Sequence, residues 1–386
     1  MTFHHSPSNN GITQPRIIFL TLKIFSATGG IEKVCRIMGK ALYEYGLQNG
    51  VGIEIMSMHD EQEEASNNSY FPAEIFSGFA GNKLSFVLNS INNGREADII
   101  IISHINLLVV GWLIKKANPS AKIILIAHGI EIWGKLNISK KNMLPVCDQI
   151  ICVSRFTADK IISFHKIDNR KISIINNCID PFLPLYVQHF YKESLRKKYN
   201  IAEDDTVLMT LTRLSVRDRY KGYDRVLEAL VILKKNNRKI KYLLAGGYSN
   251  SEKIFIDGLI KKHGLADNVI LTGYIPENYL TPHFLMADIY VMPSTKEGFG
   301  IVFIEAMYYG LPVIAGNQDG STDALLDGKL GLLIEPNNAE SIAAAVEKMQ
   351  LNKDLYKPDH VLLMDHFGFD EYKRKLESVL DNCCLN

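Results

Sequence analysis

Short apolar runs and helical patterns alternate along this chain twice, with one break between Pro181 and Asn200. That rhythm limits the fold more than any other feature. Before the break, 16–22, 52–56, 98–103, 122–127, 149–153 and 172–175 read as strands. Helices are predicted at 31–46, 107–116 and 154–164, the last capped by Ser154. After the break, strands are predicted at 207–211, 242–245, 269–271, 289–292, 313–315 and 331–334. The second set of helices falls at 222–235, 255–263, 301–309 and 340–349. A last helix, 369–380, follows a linker containing Pro358. The acidic, Asn-rich stretch 60–68 reads as a mobile loop.

Strands that alternate with helices form parallel sheets with helical crossovers. The predicted fold is α/β, with two Rossmann-like doubly wound domains facing across a cleft. The first covers 1–185 and the second 186–365, with the C-terminal helix, about 366–386, able to pack back on the first. Such sheets bind ligands beyond the carboxyl ends of their strands, so the cleft is the expected active site.

Composition narrows the function. The chain has 386 residues, 47% hydrophobic and 22% charged, as in soluble globular proteins. A net charge of +1 argues against a general nucleic-acid binder. No apolar run reaches the roughly 18 residues of a membrane span. Residues 1–14 lack the apolar core of a signal peptide. The six cysteines form no C-x-x-C pair, which fits free thiols in a reducing cytosol and argues against a metal site.

The chemistry concentrates at 293–306. A buried strand runs into a loop, Pro293-Ser294-Thr295-Lys296-Glu297-Gly298-Phe299-Gly300, and then into an apolar helix from Ile301. Glu297 and Glu305 stand eight residues apart. A Gly-x-Gly loop feeding a helix offers free N–H groups and the positive end of the helix dipole, which favour a phosphate-bearing ligand. The acids can then accept hydrogen bonds from sugar hydroxyls. An ordinary strand–loop–helix is the competing reading.

Four further segments are candidates. Gly29 and Gly30 open the first helix, where backbone can approach a ligand closely; a tight turn is the alternative. His128 and Gly129 end a strand and point toward a cleft, unless the histidine is structural. Arg213 and Lys221 flank the start of the second domain's first helix, a fork and a point charge suited to a diphosphate leaving group. Solvated surface charge is the plainer reading of both. Tyr274 and Ile275 follow a strand, where backbone could meet a nucleobase.

In this order the segments resemble the retaining glycosyltransferases of the GT-B type, in family 4. The resemblance runs from about Arg16 to Met349, through "GGIEKV", "HGIE", "RLSVRDRYKGYDRVLEAL", "LLAGG", "LTGYIP" and "STKEGFGIVFIEAMYYGLPVIA". It implies transfer of a hexose from a GDP- or UDP-linked sugar to a hydroxyl of a glycan or lipid-linked acceptor. It also implies a role in cell-surface polysaccharide synthesis. His128 would contact the transferred sugar, Arg213 and Lys221 neutralise the departing diphosphate, and Glu297 hold the sugar with the N–H groups of Phe299 and Gly300. Gly29, Gly30, Gly298 and Ile301 would line the donor site, Glu305 would accept the ribose hydroxyls, and Tyr274 or Ile275 would meet the base. No metal and no cofactor is implied.

The acceptor is not legible. Residues 1–185 hold 18 Lys and Arg against 15 Asp and Glu, which permits contact of a cytoplasmic enzyme with the inner face of the cytoplasmic membrane. A nucleotide-sugar 2-epimerase and a non-catalytic GT-B binding protein are the alternative readings. Two departures stand out: Arg213 and Lys221 are separated by a longer insert than the commonest family spacing, and the segment 316–323 replaces the more usual Gly-Gly-x-x-Glu, with Asp323 near the acid's place.

Overall fold

In the computed structural model, residues 14–184, 189–236 and 239–384 are described. Strands β1 (Arg16–Thr21), β2 (Gly52–Ser57), β3 (Phe76–Gly78), β4 (Ile99–Ile102), β5 (Lys122–Ala127), β6 (Gln149–Cys152) and β7 (Ile172–Ile174) form one sheet in the order β3-β2-β1-β4-β5-β6-β7. Strands β8 (Thr206–Leu211), β9 (Ile240–Ala245), β10 (Val269–Gly273), β11 (Ile289–Met292), β12 (Val313–Gly316) and β13 (Leu332–Ile334) form a second, in the order β10-β9-β8-β11-β12-β13. Both are doubly wound, and the pairs around β1 and β8 are parallel. The chain divides into two compact units: 1–126 with 138–149 and 380–386, and 127–137 with 150–379.

The composition of the strands explains the topology. The four isoleucines of β4 are all buried, and five of the six residues of β5 are too. Strands covered on both faces by crossover helices read as unbroken apolar runs. In the second unit, Val207 and Met209 of β8 face one apolar cluster with Phe299, Phe303 and Phe367. Leu208 faces the other, with Tyr223, Leu227 and Val346. That alternation is the period of two that a strand imposes on its neighbours.

The acidic stretch 60–68 is not the mobile loop expected. Asp60 is fully buried and accepts the N–H groups of Ile24 at 2.6 Å and Ser26 at 2.7 Å, and the Ser57 hydroxyl at 2.5 Å. Burial raises the cost of its charge, but these hydrogen bonds outweigh that and hold its pKa below the usual carboxylate value. The Pro358 linker also proves to be helical from His360 to Phe367, with the Asp359 side chain capping its first turn.

Candidate active site

The second unit builds its site around the loop between β11 and the helix Ile301–Tyr308. Gly300 enters that helix at φ 87°, a left-handed conformation that favours glycine, and no side chain caps the helix start. Beneath the loop lies Asp319, 1% exposed. Its carboxylate accepts the Ser294 hydroxyl at 2.8 Å, the Glu297 N–H at 2.6 Å and the Ser321 N–H at 2.9 Å. In return, Gly320 N–H donates to the Glu297 carbonyl at 2.8 Å. Two turns of chain are thereby fastened together, and Glu297 is held at their edge.

Burial pushes the Asp319 carboxyl up from 3.8 to about 6. A raised carboxyl favours the fold while protonated, and that contribution fades as pH rises through about 6. The difference corresponds to about 3 kcal/mol. Asp319→Asn, which cannot ionise, lacks this dependence. In urea unfolding, the stability of the native chain relative to Asp319→Asn should fall by up to that amount between pH 4 and pH 7. A constant difference would mean that Asp319 does not titrate in this range.

Backbone packing brings His128 to the same loop. A Cβ on Gly298 would lie 1.9 Å from the His128 carbonyl oxygen, and one on Gly320 would lie 2.1 Å from the Gly298 carbonyl oxygen. The turn at His128 is set by Glu131, whose carboxylate accepts the His128 N–H at 2.6 Å and the Gly129 N–H at 3.1 Å. Ser154, besides capping the helix Arg155–His165, donates its hydroxyl to the Gly298 carbonyl at 2.6 Å. Arg155 donates to Asp323 at 2.8 Å and to Asp327 at 2.8 Å. Asp323, the departure from the family pattern, is thus one anchor of Arg155.

Lys221 reaches the loop because Gly222, at φ 78°, turns the chain against Pro293; a Cβ there would sit 2.3 Å from the Pro293 carbonyl oxygen. Thr295 N–H donates to the Tyr220 carbonyl at 2.9 Å, fixing the two segments side by side. The Lys221 ammonium donates to both carboxylate oxygens of Glu297, 2.7 Å from Oε1. Both side chains are largely buried, at 15% and 12% exposure. Burial alone would lower the Lys221 pKa; the Glu297 carboxylate outweighs it and raises the value above the usual one.

Arg213 is arranged differently. Its Nε donates to Asp218 at 2.8 Å, and Ser215 donates its hydroxyl to the same carboxylate at 2.5 Å. The insert between Arg213 and Lys221 therefore supplies a carboxylate that holds the guanidinium. Arg219, in the same insert, is more than a surface charge. It donates twice to Glu252, each at 3.0 Å, and its guanidinium stands 3.5 Å from the Phe255 ring centre. Glu252 is fully buried and also receives the Tyr223 hydroxyl at 2.5 Å.

The remaining candidates spread around this centre. Glu305 is buried within the helix Ile301–Tyr308. The Phe299 side chain packs in the core on Phe367, so only its backbone is available to a ligand. Tyr274 is exposed and Ile275 buried, and both line a cavity of about 460 Å³ with Tyr199, Tyr279 and His283. Gly29 and Gly30 belong to the other unit, at the start of the helix Gly30–Asn49. Asp319, Asp218 and Glu131 were missed. A "DG" pair such as 319–320 reads as a turn, and nothing in the residue type says that the acid faces inward.

Two doubly wound parallel sheets, each in its own unit, are the architecture of the GT-B class. Residues 191–358 match the family model "Glycosyl transferases group 1", and residues 28–182 match "Glycosyltransferase Family 4". The chain belongs to the family 4 glycosyltransferases of GT-B type. It is 28% identical over 247 residues to a GDP-mannose-dependent alpha-(1-6)-phosphatidylinositol monomannoside mannosyltransferase of Mycobacterium tuberculosis, covering 61% of this chain and 62% of that protein. It is 29% identical over 194 residues to a D-inositol 3-phosphate glycosyltransferase of Paenarthrobacter aurescens, covering 50% and 46%. The chain thus matches about three fifths or less of the length of these relatives. An Anabaena protein crystallised with UDP and glucose superposes with a TM-score of 0.77 at 18% identity, over 96% of this chain and all of that one.

Proposed function

We propose that this chain is a retaining, metal-independent hexosyltransferase. It moves a sugar from a GDP- or UDP-linked donor to a hydroxyl of a glycan or lipid-linked glycan, in cell-surface polysaccharide synthesis. The observation that carries this reading is the Lys221–Glu297 pair beside the uncapped start of the helix Ile301–Tyr308. A buried cation next to free helix N–H groups suits the charge that grows on a departing diphosphate. Lys221 and Arg213 would take that charge, each leaving the carboxylate that now holds it. Glu297, released from Lys221, would grip the sugar hydroxyls. His128 would lie by the reacting carbon, with Glu131 fixing its backbone. A donor phosphate oxygen would receive the acceptor proton. The M. tuberculosis relative uses GDP-mannose and the Anabaena protein holds UDP, so both bases stay in the proposal.

Thermal unfolding with UDP, GDP, ADP and TDP tests the reading. A ligand at 100 times its Kd that binds only the folded chain adds about 2.7 kcal/mol. Stabilisation by one diphosphate identifies the donor class; stabilisation by none would overturn the transferase reading. An epimerised donor formed without acceptor would instead point to a 2-epimerase. Glu305→Ala should weaken the stabilising diphosphate about tenfold or more, the scale of one lost charge-assisted hydrogen bond. Equal affinity in the variant would remove Glu305 from the ribose.

Among the described residues no helix is long and apolar enough to cross a membrane. We place the enzyme on the inner face of the cytoplasmic membrane. Leu84 and Leu88, 70% and 57% exposed and one turn apart on the helix Lys83–Gly94, give the first unit an apolar contact. Failure to float with anionic vesicles would exclude that placement.

A further inference from the structure

The first unit holds a second cavity, of about 310 Å³, lined by Leu22, Lys23, Ile31, Glu32, His59, Ser103 and His104. Its position follows from register. Thr21 of β1 pairs with Ser57 of β2, and Leu20 of β1 with Ile102 of β4. The residues just past the three carboxyl ends therefore meet. His59 N–H donates to the Leu22 carbonyl at 3.0 Å and Ser103 N–H to the Leu20 carbonyl at 2.9 Å, which fixes the three ends as one rim. Asp60, next to His59, ties down the loop that carries Lys23 through the Ile24 N–H. The chain leaves β1 toward β2 on one side and returns to β4 on the other, so the cavity lies where the strand order reverses. Ligands of doubly wound sheets bind at that point.

The lining is chemically mixed. Among the described residues, neither the Lys23 amine nor the His59 ring has a hydrogen-bond or ion-pair partner. Both are partly buried. His104 Nδ1 accepts the Asn106 N–H at 3.0 Å, so a neutral ring carries its proton on Nε2 as a donor. Glu32 can only accept when ionised, and Ser103 can do either. Leu22 and Ile31 supply an apolar floor. Two basic side chains without partners call for an anion, while a carboxylate and a hydroxyl call for neighbouring alcohols.

We propose that this cavity binds a ring polyol bearing a phosphate monoester, with Lys23 and His59 on the phosphate and Glu32, Ser103 and His104 on the hydroxyls. It deepens the proposed function, for it rests on the first unit being the acceptor side and makes the acceptor a phosphorylated one. The phosphate could be a lipid headgroup or a free sugar phosphate.

The test is calorimetric titration of the whole chain with myo-inositol 1-phosphate and glucose 6-phosphate, beside neutral inositol and glucose. At least one phosphorylated probe should bind more tightly than its neutral partner. Lys23→Met, which keeps the stem and removes the charge, should weaken that binding about tenfold or more, as should His59→Gln to a lesser degree. Equal binding of charged and neutral probes, binding of neither, or unchanged affinity in Lys23→Met would overturn the proposal. The source is read from vesicles containing phosphatidylinositol. Capture reversed by soluble inositol phosphate supports a lipid-borne ligand, and soluble binding without capture supports a free one. Stabilisation by a nucleoside diphosphate, measured on Lys23→Met as well, keeps the two readings apart. If it persists while phosphate binding fails, only the acceptor proposal falls.

Discussion

Lys221→Ala is expected to lower turnover at least about a hundredfold, measured as release of the nucleoside diphosphate from the donor. That is the scale of one lost electrostatic donor at a developing charge. The substitution has a second consequence. Glu297 is 12% exposed and its carboxylate accepts from the Lys221 ammonium, so removing the amine takes the partner from a largely buried side chain. Breaking a buried pair from one side costs about 3–5 kcal/mol. Loss of activity could then follow from loss of the loop. The double variant Lys221→Met, Glu297→Gln, read beside Glu297→Gln alone, separates the two effects. It removes both charges and should recover most of the stability in urea unfolding, yet stay as inactive as Lys221→Ala. Recovery of turnover in the double variant would reduce Lys221 to a structural partner of Glu297. The raised Lys221 pKa makes the assay simple to place. Its contribution to stability is complete below the usual lysine value of 10.5 and is lost only as pH rises through the higher folded value. Activity near pH 8 therefore samples a charged amine.

The strands were legible where burial on both faces demanded it. Residues 122–127 and 289–292 are read with the same ends that the structure shows, because no polar residue interrupts either run after its first position. The helix Lys83–Gly94 was not legible. Its outward face carries Leu84 and Leu88, its body is rich in Ser and Asn, and its start depends on Asn82 accepting the Ser85 N–H. The helix Leu280–Met286 hides behind Pro282, which is tolerated because it lies in the first turn. In the site, charges beside glycines could be found from the sequence, and Lys221 does meet Glu297. The acids that organise them could not. Asp60, Asp218 and Asp319 are short side chains in polar, loop-like surroundings, where a solvated carboxylate is the ordinary outcome. Ser215 and Arg213 hold Asp218 locally, but what turns Asp60 and Asp319 inward includes backbone N–H groups and hydroxyls from segments distant in sequence, Ile24 and Ser26 in one case and Ser294 and Glu297 in the other. Such a demand exists only after the chain has closed.

Gly298→Ala should abolish donor turnover and cost about 3 kcal/mol of stability or more. The new Cβ would stand 1.9 Å from the His128 carbonyl oxygen and 3.3 Å from the Gly129 Cα. A methyl against a flexible side chain can be accommodated by a rotamer change, but these neighbours are backbone. The His128 segment cannot retreat cheaply, for Glu131 holds two of its N–H groups. Nor can residue 298 move away, because Ser154 holds its carbonyl and Gly320 packs against the same oxygen. Any shift is passed one residue back to Glu297 and two forward to Gly300, the start of the helix Ile301–Tyr308. The proposed donor side of the site therefore loses its geometry even where the sheet survives. Gly134→Ala is the control, since nothing lies within 4 Å of a Cβ there. Urea unfolding and diphosphate release are measured on both variants. If Gly298→Ala is as stable and as active as Gly134→Ala, the close approach of the two loops is not what shapes this site.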